Sequence, residues 1–284
     1  MSAITNQLKT VVLLGALSGL MLLVGYLMGG FNGLSIGLAF ALIMNIGSYW
    51  FSDKIVLMMY RAKEATEKEQ PELYKIVREV THLANIPMPK VYIIPTDSPN
   101  AFATGRSPKH AAVACTEGIM KILSKDELKG VIAHEISHIK NRDILIQTIA
   151  ATIAAVISYA AFVVRFGAIF GGYGGDRDNR NNLVELLALA ILAPLTATII
   201  QLAISRSREY LADETGAKTI HNPMALASAL EKLEKTAKTN PLRFGNPQTS
   251  SMFIVNPFSA TSLLALFSTH PPMKERIKRL REMR

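Results

Sequence analysis

A single cysteine, Cys115, in a chain of 284 residues excludes an internal disulfide. It also suits a reducing compartment. Charge is scarce: Asp, Glu, Lys and Arg together make up 19% of the residues, against 49% that are apolar. No GxxxxGK[ST] loop is present, so the chain has no evident means of pulling on a substrate by ATP hydrolysis. The start lacks the basic leader, short apolar core and small-residue cleavage site of a secretory signal. The first apolar block therefore reads as a retained helix. No internal repeat is visible. Acidic residues are outnumbered by basic ones, 22 to 31, and the net charge of +9 suits a surface beside anionic lipid. Nucleic acid is an unnecessary partner.

What the chain has in excess is apolar residues gathered into blocks. Four of them, about 8–28, 34–51, 144–170 and 183–205, approach or exceed the roughly 20 helical residues that cross a bilayer core. Short connectors, GGFNG at 29–33 and GGYGGDRDNRNN at 171–182, predict two transmembrane hairpins. Of the Lys and Arg residues, 14 lie in 51–143 and 13 in 206–284. The positive-inside rule then places the N-terminus, both polar segments and the C-terminus in the cytoplasm. The expected architecture is a mainly α integral membrane protein with four transmembrane helices in two hairpins (1–51 and 144–205). Segments 52–143 and 206–284 would form a cytoplasmic zincin-like α+β domain.

Within the first polar segment, PELYKIVREVTHLANI places Pro71 at a first helical position, with Leu73, Ile76, Val77 and Val80 on one apolar face. KVYIIP at 90–95 and HAAVACT at 110–116 read as strands of a small antiparallel sheet, with AFATG and the turn-rich GRSPK between them. Ser124 opens a helix with a capping box closed by Glu127, and that helix is expected to run through Asp143 into the third span. A further helix is expected from Asn222 and Pro223, a loop over 240–261, and a basic helix after His270 to Pro272.

The chemistry centres on VIAHEISHIKNRD, residues 131–143. Residues four apart share a helix face, so His134 and His138 can direct imidazoles at one zinc ion, with Glu135 beside them to take a proton from water. The plainer alternative is a helix end with two surface histidines. A metzincin would need glycine at position 141 and histidine at 144, and Asn141 and Ile144 exclude that class. The other common third ligand is a glutamate from a later helix. Spans three and four form a hairpin, so Glu209 returns close to His138 at the bilayer edge, both within about 5–8 Å of it. Asp213, one turn on, can hold a ligating histidine by its second nitrogen. The alternative is that Glu209 and Asp213 form a solvated helix end paired with Arg206 and Arg208; the hairpin favours the ligand.

HEISHIKNRD, SREYLADETGA and HPPMKERI, in that order around two hydrophobic hairpins, resemble the HtpX family of membrane zinc metallopeptidases, gluzincin-type relatives of the type 1 CAAX prenyl proteases. The resemblance covers essentially the whole chain. It implies one zinc ion per chain on His134, His138 and Glu209, Glu135 as general base and Asp213 behind the ligands. It also implies that His270 steadies the oxyanion and that PNAF, with Asn100, Ala101 and Phe102, contacts substrate backbone. The sequence itself suggests an extended substrate on a strand edge, with HAAVACT and its Ala112, Val113 and Ala114 as the candidate.

The expected activity is ATP-independent endoproteolysis of unfolded or misfolded membrane proteins at the cytoplasmic face of a bacterial inner membrane, under stress. Two rivals are weaker. Four spans are too few for the closed chamber of a prenyl protease, and the near absence of ionisable residues inside the spans speaks against a metal transporter or scaffold.

Overall fold

The computed structural model describes residues 3–150, 153, 206–239, 241, 242, 249, 252–255 and 271–283. Helix α1 (Ala3–Met59) is helical throughout yet doubles back. Asn45 Nδ2 donates to Ser18 Oγ at 2.7 Å, whereas residues 27 apart on a straight helix lie about 40 Å apart. The turn is at Gly30, whose φ of +57° costs glycine little. Close by, Gly37 faces the Met21 carbonyl so tightly that a Cβ would stand 2.5 Å from it. The second arm, Gly30–Met59, is the one helix among the described residues long and apolar enough to cross a membrane. Phe31, Ile36 and Ile43 project from it with large exposed surface, as a lipid-facing helix requires. The expected spans at 144–170 and 183–205 lie almost wholly outside the described residues.

After α1 come β1 (Lys63–Glu64), α2 (Pro71–Ala84), β2 (Lys90–Ile94), β3 (Ala101–Ser107), β4 (His110–Thr116), α3 (Glu117–Ile122) and α4 (Lys125–Lys140). A helix α5 begins at 144, and α6 (Arg206–Ile220), α7 (Pro223–Thr239) and α8 (Met273–Glu282) complete the described chain. α2 starts at Pro71 and buries Leu73, Ile76, Val77 and Val80, so its period-3.6 pattern faces the core. α4 opens with the Ser124–Glu127 capping box and is the hub: α2, α6 and α7 pack on it, and β3 and β4 lie against it.

The sheet order is β1-β2-β4-β3, and β2 pairs parallel with β4. It is therefore mixed, and the expectation of an antiparallel sheet fails because the chain crosses over from β2 to β3 before forming the β3–β4 hairpin. HAAVACT is β4, hydrogen-bonded on both sides, so the candidate edge at Ala112, Val113 and Ala114 is corrected: the outermost strand beside the site, among the described residues, is β3. Alternation along the strands divides the interior. Ala101, Ala103, Val113 and Cys115 join the α4 core, while Phe102, Ala112 and Ala114 face a second cluster with Tyr60 and Phe253.

The unbroken helix expected through Asp143 is also corrected. α4 stops at Lys140, Arg142 takes a left-handed φ of 59°, and helix resumes at 144. In a continuous helix Asp143, five residues after His138, would lie about 140° around the barrel from it. The break lets Asp143 turn back to that histidine.

Candidate metal centre

α4 presents His134, Glu135 and His138, and α6 crosses it with Glu209 and Asp213. The crossing is close because Gly216 of α6 rests on the α4 backbone: a Cβ there would meet Ala133 C and His134 N at 2.9 Å. Glycine thus sets the depth at which Glu209 arrives.

His134 Nε2 and His138 Nε2 are 3.1 Å apart. Glu209 Oε2 lies 3.7 Å from the first and Oε1 3.5 Å from the second. This is the one cluster of its kind among the described residues, with its ligand atoms all within 4.8 Å of one another. Ligand atoms at zinc distances of about 2.0–2.1 Å in tetrahedral directions stand roughly 3.3 Å apart, so the spacing fits.

The outer nitrogens fix the tautomers. His134 Nδ1 lies 2.9 Å from Asp213 Oδ1, and His138 Nδ1 lies 3.0 Å from Asp143 Oδ2. With each Nδ1–H donating to its carboxylate, a neutral imidazole at either position offers its Nε2 lone pair toward Glu209. Three electron-rich atoms facing one point, each on a residue at most 5% exposed, call for a cation between them. The electrostatics agree. Burial alone would lower His138, but the carboxylates of Asp143, Glu209 and Glu135 outweigh it and push His138 up to about 10. At His134 burial prevails over Asp213 and the shift is downward. Two imidazoles and one glutamate with their outer nitrogens oriented form a set suited to zinc.

Glu135 is 2% exposed. Burial pushes it up to about 8, with His138 opposing, Glu209 adding and the Ala103 N–H drawing it down. A carboxyl so placed is poised to exchange a proton. Arg276 of α8, with no exposed surface, grips Asp213 with Nε and Nη2 at 2.8 and 2.7 Å. Its Nη1 donates to the Ile254 carbonyl at 3.0 Å and lies 3.5 Å from Glu209 Oε2. Desolvation disfavours the cation, but the surrounding carboxylates keep it charged.

The structure thus brings together His134, Glu135, His138, Glu209 and Asp213. His270 lies outside the described residues, two positions before the exposed Pro272 that caps α8. Asn100 is buried beside β3: its Nδ2 donates to Val255 O at 2.7 Å and its Oδ1 accepts from Val255 N at 3.4 Å. Ala101 O accepts from Ile254 N at 3.2 Å. Phe102 points away from the metal ligands into rings of Tyr60 and Phe253, 5.8 and 5.1 Å between centroids. Ala112 and Ala114 pack into the same second cluster and Val113 into the α4 core.

Sequence reasoning missed Asp143 and Arg276. Both sit inside the quoted motifs, HEISHIKNRD and HPPMKERI, as charged residues beside histidines, and that proximity is the signal that could have found them.

Comparison with known proteins agrees with this geometry. The family model described as Peptidase family M48 matches residues 67–284. A protein described as Protease HtpX homolog from Syntrophobacter fumaroxidans is 54% identical over 280 residues, 98% of this chain and 99% of that one. One of the same description from Pyrococcus furiosus is 57% identical over 275 residues, 97% of this chain and 95% of that one. Among solved structures, Ste24p of S. mikatae aligns at a TM-score of 0.54 and 21% identity, over 98% of this chain and 66% of that chain, a likeness of fold.

Proposed function

The chain belongs to peptidase family M48, and from that premise we propose that it is a zinc endopeptidase that cuts unfolded or misfolded membrane proteins at the cytoplasmic face of a bacterial inner membrane. The observation that carries the reaction is the convergence of His134, His138 and Glu209 around one buried point with Glu135 beside them.

Zinc bound there would supply Lewis acidity toward a scissile carbonyl and its attacking water. Asp213 and Asp143 keep the imidazoles in the ligating tautomer, and Arg276 holds Asp213 in place. Glu135 takes the proton of the water and returns it to the leaving amine. His270, on the strength of the HPP pattern, steadies the oxyanion. β3, the outermost strand of the sheet among the described residues, is the side on which a substrate would lie extended, its backbone read without regard to side chains.

The cytoplasmic assignment rests on the basic residues concentrated in the two polar segments. A site close to the bilayer and free of an ATP-driven motor favours membrane-protein loops and tails that are already unfolded. In detergent, Glu135→Gln is expected to keep its zinc and lose cleavage of an unfolded membrane protein by about 10²–10⁴-fold. Cleavage at the parent rate would sink the mechanism. Faster cutting of a prenylated peptide than of the unfolded protein would shift the substrate class.

A further inference from the structure

We propose that Met252–Val255, the sequence Met-Phe-Ile-Val, is a built-in occupant of the substrate groove, a strap that must leave the β3 edge before any peptide is cut. The peptides that displace it are, by the chemistry of the place it fills, extended apolar segments. The proposal rests on the protease reading above and deepens it.

The strap runs along the outer side of β3 as an irregular segment, tied to it by one backbone hydrogen bond and by the Asn100 side chain. Ile254 N donates to Ala101 O at 3.2 Å, and Val255 exchanges both backbone groups with the Asn100 amide, at 2.7 and 3.4 Å. The Ile254 carbonyl is held by Arg276 at 3.0 Å. Two consecutive residues of the strap therefore have their backbone hydrogen bonds satisfied by the edge and by the residues behind the metal ligands. Ala101 O is thereby taken, a backbone acceptor on the side of β3 to which an extended peptide would add. The side chains complete the fit. Phe253 stands edge-on between Tyr60 and Phe102, with centroids 4.8 and 5.1 Å away, and Ile254 and Val255 sink into the α4 core.

With the strap in place the site is shut. His134, Glu135, His138 and Glu209 are each at most 5% exposed. Among the described residues, Gln147, Met252, Phe253 and Ile254 line the same pocket as these four side chains. Hydrolysis needs both a water and a carbonyl at that point, so this arrangement is inactive until the strap moves.

The strap also reports what the groove accepts. Four apolar residues in succession, with no charge among them, are buried there at 6% exposure or less. A replacement peptide that carried charges at those positions would have to bury them unpaired. An apolar run such as an unfolded membrane protein exposes meets no such penalty.

A reversible staple tests this in the full chain. Ala101→Cys and Ile254→Cys place thiols on residues joined by a backbone hydrogen bond, with both side chains in the same cluster. Cys115 is the register partner of Ala101 and is changed to Ala to prevent a wrong bridge. Zinc-loaded and reduced, the variant is expected to cut an unfolded protein and a synthetic peptide containing Met-Phe-Ile-Val. Oxidation is expected to lower both rates roughly tenfold or more, and dithiothreitol to restore them. Thiols that fail to join, or an oxidised enzyme as fast as the reduced one, overturn the strap. A peptide with aspartates in place of its Phe and Ile, cut as fast as the apolar one, overturns the substrate class. No cleavage by the unsubstituted chain, with zinc bound, strikes instead at the protease reading. A second variant, Phe253→Asp, is expected to raise kcat/KM for the apolar peptide, and a lowered value with unchanged zinc content and thermal stability overturns the proposal.

Discussion

Asp143→Ala separates what the residue does for the metal from what it does for the fold. Its carboxylate touches His138 Nδ1 at 3.0 Å and is 1% exposed, while its other oxygen has no hydrogen-bond partner among the described residues. Without zinc, the substitution removes the strongest of the carboxylate influences that hold His138 above its ordinary range, and the zinc-free fold loses that contribution. With zinc, His138 loses the partner that orients its ring and fixes its tautomer. Such outer partners are worth about 10–100-fold in metal affinity, or roughly 1.4–2.8 kcal/mol. Asp143→Asn keeps an acceptor without the charge and should lie near the lower bound. The assay is zinc affinity by chelator competition on the detergent-purified chain, paired with thermal unfolding with and without zinc. The zinc-dependent rise in Tm, taken as the difference between zinc-bound and zinc-free unfolding, is expected to shrink by several degrees in Asp143→Ala. Zinc affinity within twofold of the parent would refute the assigned role, and an equal fall in both Tm values would show a structural residue instead.

Gly216→Ala should push α6 off α4, because its Cβ meets backbone at 2.9 Å; a loss of about 1–3 kcal/mol in stability together with weaker zinc binding is expected, and unchanged zinc affinity would show that Glu209 is positioned otherwise. Burial alone would raise Glu127, but Lys232, Ser228 and Ser124 hold its carboxyl at about 2, so its contribution is complete above the ordinary range near 4.5 and is lost as pH falls toward 2. Urea unfolding of Glu127→Gln should therefore show a deficit of about 1–2 kcal/mol at pH 7 that narrows below pH 4, and a deficit constant with pH would contradict this. Trp50, the one tryptophan, is half exposed near the end of the apolar block 34–51, with the Arg106 guanidinium 4.5 Å over its ring. In proteoliposomes, quenchers placed near the lipid headgroups should reduce its fluorescence more than quenchers at the bilayer centre or dissolved in water, and the reverse order would misplace the span.

Much of the local structure was legible because its causes are local. The apolar face of α2, Pro71 at its start, and the Ser124–Glu127 box depend on residues within a turn or two of one another. The first apolar blocks also announced a turn near Gly30, through glycine density alone. Strand order was not legible: β4 has the composition of an edge or a centre equally, and only its pairing with β2 and β3 makes it internal. The break after Lys140 was hidden for a related reason. NRDIL has no proline or glycine to stop a helix, and what stops it is the tertiary gain of Asp143 against His138.

The sequence by itself determined the reactive pattern. HExxH must place two imidazoles and a carboxylate on one stretch of helix, since the geometry of the helix leaves no other arrangement, and the long apolar runs announced a bilayer. The tertiary structure decided everything that joins distant residues: Glu209 at the ligand point, Asp143 and Asp213 behind the histidines, Arg276 locked on Asp213 across 63 positions, and the strap at Val255 tied to Asn100 across 155. Those contacts come from helix crossings and strand order, which short-range spacing cannot encode. They also make the difference between a metal-binding motif and a site that is closed until its own chain steps aside.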